Sequence, residues 1–263
     1  MPTSDHHQSI RADASPRIAV VSAIGGGKDR MDPPATRFRS ADYLLYTDDP
    51  TVEVEGWEVR PLPIWSTDPI YARRRHARAI KILMTLLVPG YDYYIWHDGT
   101  HEVVADPADI VARFLPTPDD HLAVFPHKSR DCLYDEAKSI LRFKLDDPDN
   151  IRRQVRDYRS AGHPEHAGLW ETPVLVRRSS STTQMLELAW WDHLARYSSR
   201  DQLSLPFVSK QLKISLAPIN GPTAFRNDYV RRVRPHDFPD AKRPAFFNTR
   251  RCVRRWLTRL TKI

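Results

Sequence analysis

Four groups of residues in this chain carry side chains suited to chemistry on a charged or hydroxylated substrate. Asp98-Gly99 ends the run YDYYIWHDG at 91–99, so a carboxylate stands where an aromatic, β-branched strand stops. In open α/β sheets ligands bind in the crevice beyond the carboxyl ends of the strands, where Asp98 would meet a sugar, a metal ion or a diphosphate. The plain alternative is an Asp-Gly turn, with Gly99 supplying a backbone conformation that other residues resist. Arg74, Arg78 and Lys81 recur at helical spacing. They form either a solvated cationic face or a clamp that takes a diphosphate through bidentate hydrogen bonds. His127, Arg130 and Glu136 follow the apolar run LAVF, as a second cluster near a strand end or as a structural Arg130–Glu136 ion pair. Arg200-Asp201-Gln202 lie just after a helical stretch, and local chemistry alone makes Asp201 the cap of a new helix.

The elements that must position these groups alternate. Apolar strands are expected at 17–24, 41–46, 57–62, 91–96, 122–125 and 169–177, and helices at 70–88, 106–115, 131–144, 150–161 and 182–197. Such alternation argues for an α/β fold with a mainly parallel sheet covered on both faces. Within 70–88, Ala77, Ile80, Met84 and Leu87 share one helical face and should point to the core. After the first strand, Gly25-Gly26-Gly27-Lys28 could let backbone amides approach an anion, or form a flexible loop; the spacing of a phosphate loop is absent. His163 and His236 read as lone loop histidines.

With 263 residues, 41% apolar and 28% charged, the chain has the composition of an ordinary globular protein. No apolar run reaches the length of a membrane span. Residues 1–16 are polar, lack an apolar signal core and read as a disordered lead. Cys132 and Cys252 suggest no disulfide framework, and the expected compartment is cytoplasmic. The net charge is +7, but six of the 40 basic residues lie in 250–263, leaving 34 against 33 acidic ones. The body is therefore not a nucleic-acid scaffold. In the tail, Val253, Trp256, Leu257, Leu260 and Ile263 share a helical face bordered by Arg and Lys. A basic amphipathic helix over 246–263 would lie on an anionic membrane surface or dock on its own domain.

From Arg74 to Ser204 the order of motifs resembles a glycosyltransferase-like family that includes the plant mucilage-related and turgor-regulation-defect proteins. The matching pieces are RRHARAIK, YYIWHDG through Asp106-Pro107, PHKSRDCLYDEA, VLVR ending in Arg177, and WWDHLARYSSRDQLS. The resemblance implies a GT-A-like, Rossmann-like single domain over 17–245. It implies transfer of a sugar from a nucleotide-sugar donor to a glycan or lipid-linked acceptor, in surface polysaccharide synthesis. Carried over by position, it implies a donor site of Arg74, Arg78, Lys81, Trp96, Asp98, Gly99, His127, Arg130 and Glu136. Asp201 becomes the acceptor-side carboxylate, flanked by Arg200 and Gln202. Related folds place an Asp-X-Asp metal pair where this chain has Asp98-Gly99-Thr100. Asp98 as a metal ligand would then need His101, Asp201 or water, so a divalent metal (Mn or Mg) is left open and the Arg-Lys face could replace it. The rival expectations are a hydrolase using a carboxylate, His or Cys132, which lacks a nucleophile elbow or spaced His cluster, and a non-catalytic binder of acidic polymers through the tail.

Overall fold

Strand β1 (Ile18–Ile24) is buried at every position and takes a parallel neighbour on each side. These are β2 (Ala41–Thr47) and β4 (Tyr93–His97). A computed structural model of the chain describes residues 15–25, 30–63, 72–221, 224 and 227–233, with the backbone alone over 72–75. The lead at 1–14, Gly26-Gly27-Lys28, the Arg74 side chain, His236, Cys252 and the tail 246–263 lie outside the described residues.

The main sheet has the order β3-β2-β1-β4-β7-β6-β8. Its outer members are β3 (Glu58–Pro61), β6 (Leu122–Pro126), β7 (Trp170–Arg178) and β8 (Ala217–Pro218). Pairings are parallel except at β7, which runs against both β4 and β6. The expected mainly parallel α/β sheet is therefore present, with one strand reversed. A small second sheet pairs β5 (His101–Val103) with β9 (Val230–Arg232).

Side chains alternate between two cores, as the strand period requires. Ala19, Val21, Tyr94, Trp96, Val124 and Leu175 face one side. There α1 (Ala72–Ile82), α2 (Met84–Leu87), α6 (Ser181–Arg196) and α7 (Asp201–Gln211) contribute Ile80, Met84, Trp190 and Leu205. Val20, Ile95, Ala123 and Val176 face the other, against Ile110 and Phe114 of α3 (Pro107–Phe114). Helices α4 (Leu133–Arg142) and α5 (Pro148–Ser160) complete the first layer.

Caps set several boundaries. Asp106 accepts from the Ala108 amide, and Asp147 from the Asp149 and Asn150 amides, each at 2.9 Å. The second cap starts α5 at Pro148, two residues before the expected position, because proline suits the first helical turn. The single helix expected over 70–88 is instead two, broken at Leu83. Ile80 and Met84 still face the core, but the break turns Leu87 outward, where it is 37% exposed. Among the described residues no helix is long and apolar enough to cross a membrane.

Candidate active site

Because β7 runs opposite to β4 and β6, its start shares an edge of the sheet with their carboxyl ends. Three groups meet at this edge. Lys81 comes from the last turn of α1, Asp98 follows β4, and Asp201 is the first residue of α7. Lys81 Nζ lies 2.6 Å from Asp201 Oδ2 and 3.4 Å from Asp98 Oδ1. The Trp96 indole donates to the same Asp98 oxygen at 2.8 Å. Lys81 and Asp201 are buried, whereas the Asp98 side chain stays 29% exposed. This trio is thus closed on the protein side and open at Asp98. Burial alone would push the Asp201 carboxyl up, but Lys81, then Arg78 and Arg200, hold it down at about 2.

Each member is held by its backbone. Trp190 Nε1 donates to the Asp201 carbonyl at 3.1 Å, and the Gln202 amide donates to Asp201 Oδ1 at 3.1 Å. The cap of α7 is Arg200 rather than Asp201, so Asp201 sits in the first turn, where the helix dipole favours its charge. Ahead of it, the Ser198 and Ser199 hydroxyls donate to Asp146 at 2.7 and 2.9 Å, which pins the loop. Asp98 opens a turn closed by the His101 amide on the Asp98 carbonyl at 2.8 Å. That turn does not use a left-handed glycine: positive φ occurs at Gly56, Gly90, Gly162, Gly168 and Gly221. The special role expected of Gly99 therefore does not hold. His101 bonds Thr100 Oγ1 at 3.0 Å.

Lys81 is fixed by the break in its helix. In an unbroken helix the Thr85 amide would bond the Lys81 carbonyl. Here Arg177 Nη2 donates to the Lys81 carbonyl at 2.8 Å, and Thr85 donates its amide (3.2 Å) and hydroxyl (2.7 Å) to Glu187. Arg177 and Glu187 are joined at 2.6 Å and nearly inaccessible, so a buried ion pair stands inside the helical ladder. Sequence reasoning gave neither residue a role. The signal was there: Arg177 directly after the apolar run PVLV and a lone Glu in MLELAWW, since a charge in an apolar run needs a buried partner.

His127, Arg130 and Glu136 form a second cluster beyond β6. Arg130 Nη2 lies 2.6 Å from Glu136 Oε2 and 3.1 Å from His127 Nε2. The Ser129 and Arg130 amides donate to His127 Nδ1, and burial lowers the affinity of that ring for a proton, helped by Arg130. Gln202 links the clusters by donating Nε2 to the Trp170 carbonyl at 3.1 Å. On the opposite face, His97 and Gly99 line a cavity of about 250 Å³ with Tyr43, Trp57, Glu102 and Arg231. Burial also lowers the affinity of the His97 ring for a proton, and that ring lies edge-on to Trp57 at 5.5 Å.

Divalent metals ask for roughly six to eight oxygens or an octahedral shell. Among the described residues no group of three His, Cys, Asp or Glu is gathered for one. Asp98 and Asp201 both face the Lys81 ammonium.

The family described as "TOD1/MUCI70, glycosyltransferase-like domain" matches residues 5–231. The probable hexosyltransferase MUCI70 of Arabidopsis thaliana is 27% identical over 217 residues, or 74% of this chain and 37% of that protein. Alkaline ceramidase TOD1 of the same plant is 25% identical over 222 residues, or 73% of this chain and 48% of that protein. The chain thus spans less than half the length of these curated relatives. Mouse xyloside xylosyltransferase 1, in its apo crystal form, superposes with a TM-score of 0.48 at 9% identity, over 78% of this chain and 85% of that one.

Proposed function

We propose, from the premise that the chain belongs to the TOD1/MUCI70 glycosyltransferase-like domain family, that it transfers a sugar from a nucleotide-sugar donor to an acceptor hydroxyl. The observation that carries this reading is the Asp98–Lys81–Asp201 trio, a charged centre built at the carboxyl edge of an α/β sheet and left open on one side. In the reaction the bond from the anomeric carbon to the phosphate oxygen breaks and its electron pair leaves on the diphosphate. The acceptor oxygen makes the new bond, and its proton passes to the diphosphate or to solvent.

Fixed charge aimed at the leaving group is the service such a reaction needs most. Lys81, Arg78 and Arg200 supply it in this reading, with Trp96 and the Arg130–His127 cluster completing the donor site. A carboxyl held at about 2 is a weak base. Asp201 therefore serves the acceptor side as a fixed negative charge that orients Lys81 and accepts hydrogen bonds. Gln202 steadies it through the backbone of β7. A surface glycan or lipid-linked acceptor, a cytoplasmic setting and contact of 246–263 with an anionic membrane belong to the same proposal; they rest in turn on the family resemblance, the two widely spaced cysteines and the tail's sequence.

Hydrolysis is the second reading, favoured by the name of one relative. One experiment separates the two: the purified chain is incubated with a nucleotide-sugar panel or with ceramide, following nucleoside diphosphate release, fatty acid release and melting temperature. Transfer predicts that one donor raises the melting temperature and is consumed, with loss of turnover in Asp201→Asn. Fatty acid release without any donor effect would replace it with hydrolysis.

A further inference from the structure

We infer that the donor's diphosphate is neutralised by the chain's own ammonium, so that nucleotide binding requires no divalent cation. This rests on the donor-site reading above. The Lys81 side chain is only 5% exposed, and two carboxylates stand at its ammonium, Asp201 at 2.6 Å and Asp98 at 3.4 Å. Lys81 occupies the space between Asp98 and Asp201 that a bridging metal would need. Arg78 and Arg200 act on the same Asp201 carboxylate. Their positive charge beside the trio suits an anionic diphosphate. The open side of Asp98 is where phosphate oxygens reach Lys81. Asp98 itself then orients the ammonium or accepts from the donor sugar, with Trp96 fixing its rotamer. Lysine acts on phosphate as a point charge, so it needs none of the planar geometry of a guanidinium.

The test is titration calorimetry of UDP and GDP against the purified full chain, once in EDTA and once in manganese. The expected result is one nucleotide bound with affinities that agree within about threefold in the two buffers, and at least tenfold weaker binding by Lys81→Met in EDTA. Circular dichroism establishes that the variant is folded. Should Lys81→Met not fold, the double variant Lys81→Met/Asp201→Asn removes the exposed imbalance of charge and is expected to show the same loss. Wild-type binding that appears only with manganese overturns this inference and leaves the donor site standing. So does a Lys81 variant that binds as the wild type does. If neither nucleotide binds in either buffer, the donor-site reading falls and takes this inference with it.

Discussion

Two buried cation–carboxylate centres meet at one residue, and they differ in what they leave free. Arg177–Glu187 grips the backbone: its bonds go to the carbonyls of Lys81 and Ile82 and to the amide and hydroxyl of Thr85. Both of its side chains are almost wholly inaccessible. Lys81–Asp201 grips the side chain of the same Lys81, and its third member, Asp98, faces outward. The first centre is scaffold, since its charges are consumed within the helix break. The second has the shape of a site, since part of its charge is left for a ligand. A buried ion pair is thus read by where its remaining valences point, not by its burial.

The sharpest way to break this contrast is to unpair the scaffold. Glu187→Ala leaves Arg177 buried without its carboxylate and should cost about 3–5 kcal/mol in urea unfolding. Asp201→Asn should instead leave circular dichroism unchanged and lower turnover by about 100-fold or more, measured as nucleoside diphosphate release. Retained turnover would return Asp201 to the scaffold side. Acid exposes the same difference. With its carboxyl at about 2 when folded against 3.8 unfolded, Asp201 adds stability that is full above pH 4 and fades as pH falls toward 2. That limb is worth about 2 kcal/mol, and it should flatten in Asp201→Asn when unfolding is compared between pH 5 and 2.5. The mildest change is Arg177→Met with Glu187→Leu, which swaps the pair for apolar volume. Stability should move by less than about 1.5 kcal/mol, because such replacements are often neutral. Turnover should fall about tenfold as the Lys81 carbonyl returns to Thr85 and the ammonium shifts. Unchanged turnover would mean that the break does not position Lys81.

Periodicity made the layers legible before any coordinates. Strand β1 and the aromatic run ending at Asp98 were plain because each is apolar, short and bounded by turn residues. The order of motifs also assigned Lys81 and Asp98 to a donor site and Asp201 to the acceptor side, although they are far apart in the chain. What it could not give is the partner of each charge. Lys81 reads as one cation of an exposed stripe, and only tertiary packing turns it inward between two carboxylates. The break at Leu83 was hidden for the same reason: nothing in KILMTLL is a helix breaker, and the interruption comes from residues about a hundred positions later. The short strands β8 and β9 were missed because two or three residues carry no usable period.

The reversal of β7 has a mechanical consequence. The chain accepts the Asp98 amide at Pro173, the Gln202 side chain at Trp170 and, one residue ahead of the strand, the His127 amide at Leu169, both amides at 2.8 Å. Asp98 and His127 are therefore bolted to either side of a single strand. Two strand spacings, about 10 Å, separate the backbones of β4 and β6, which these residues follow. Any shift of β7 would therefore carry both attachment points with it.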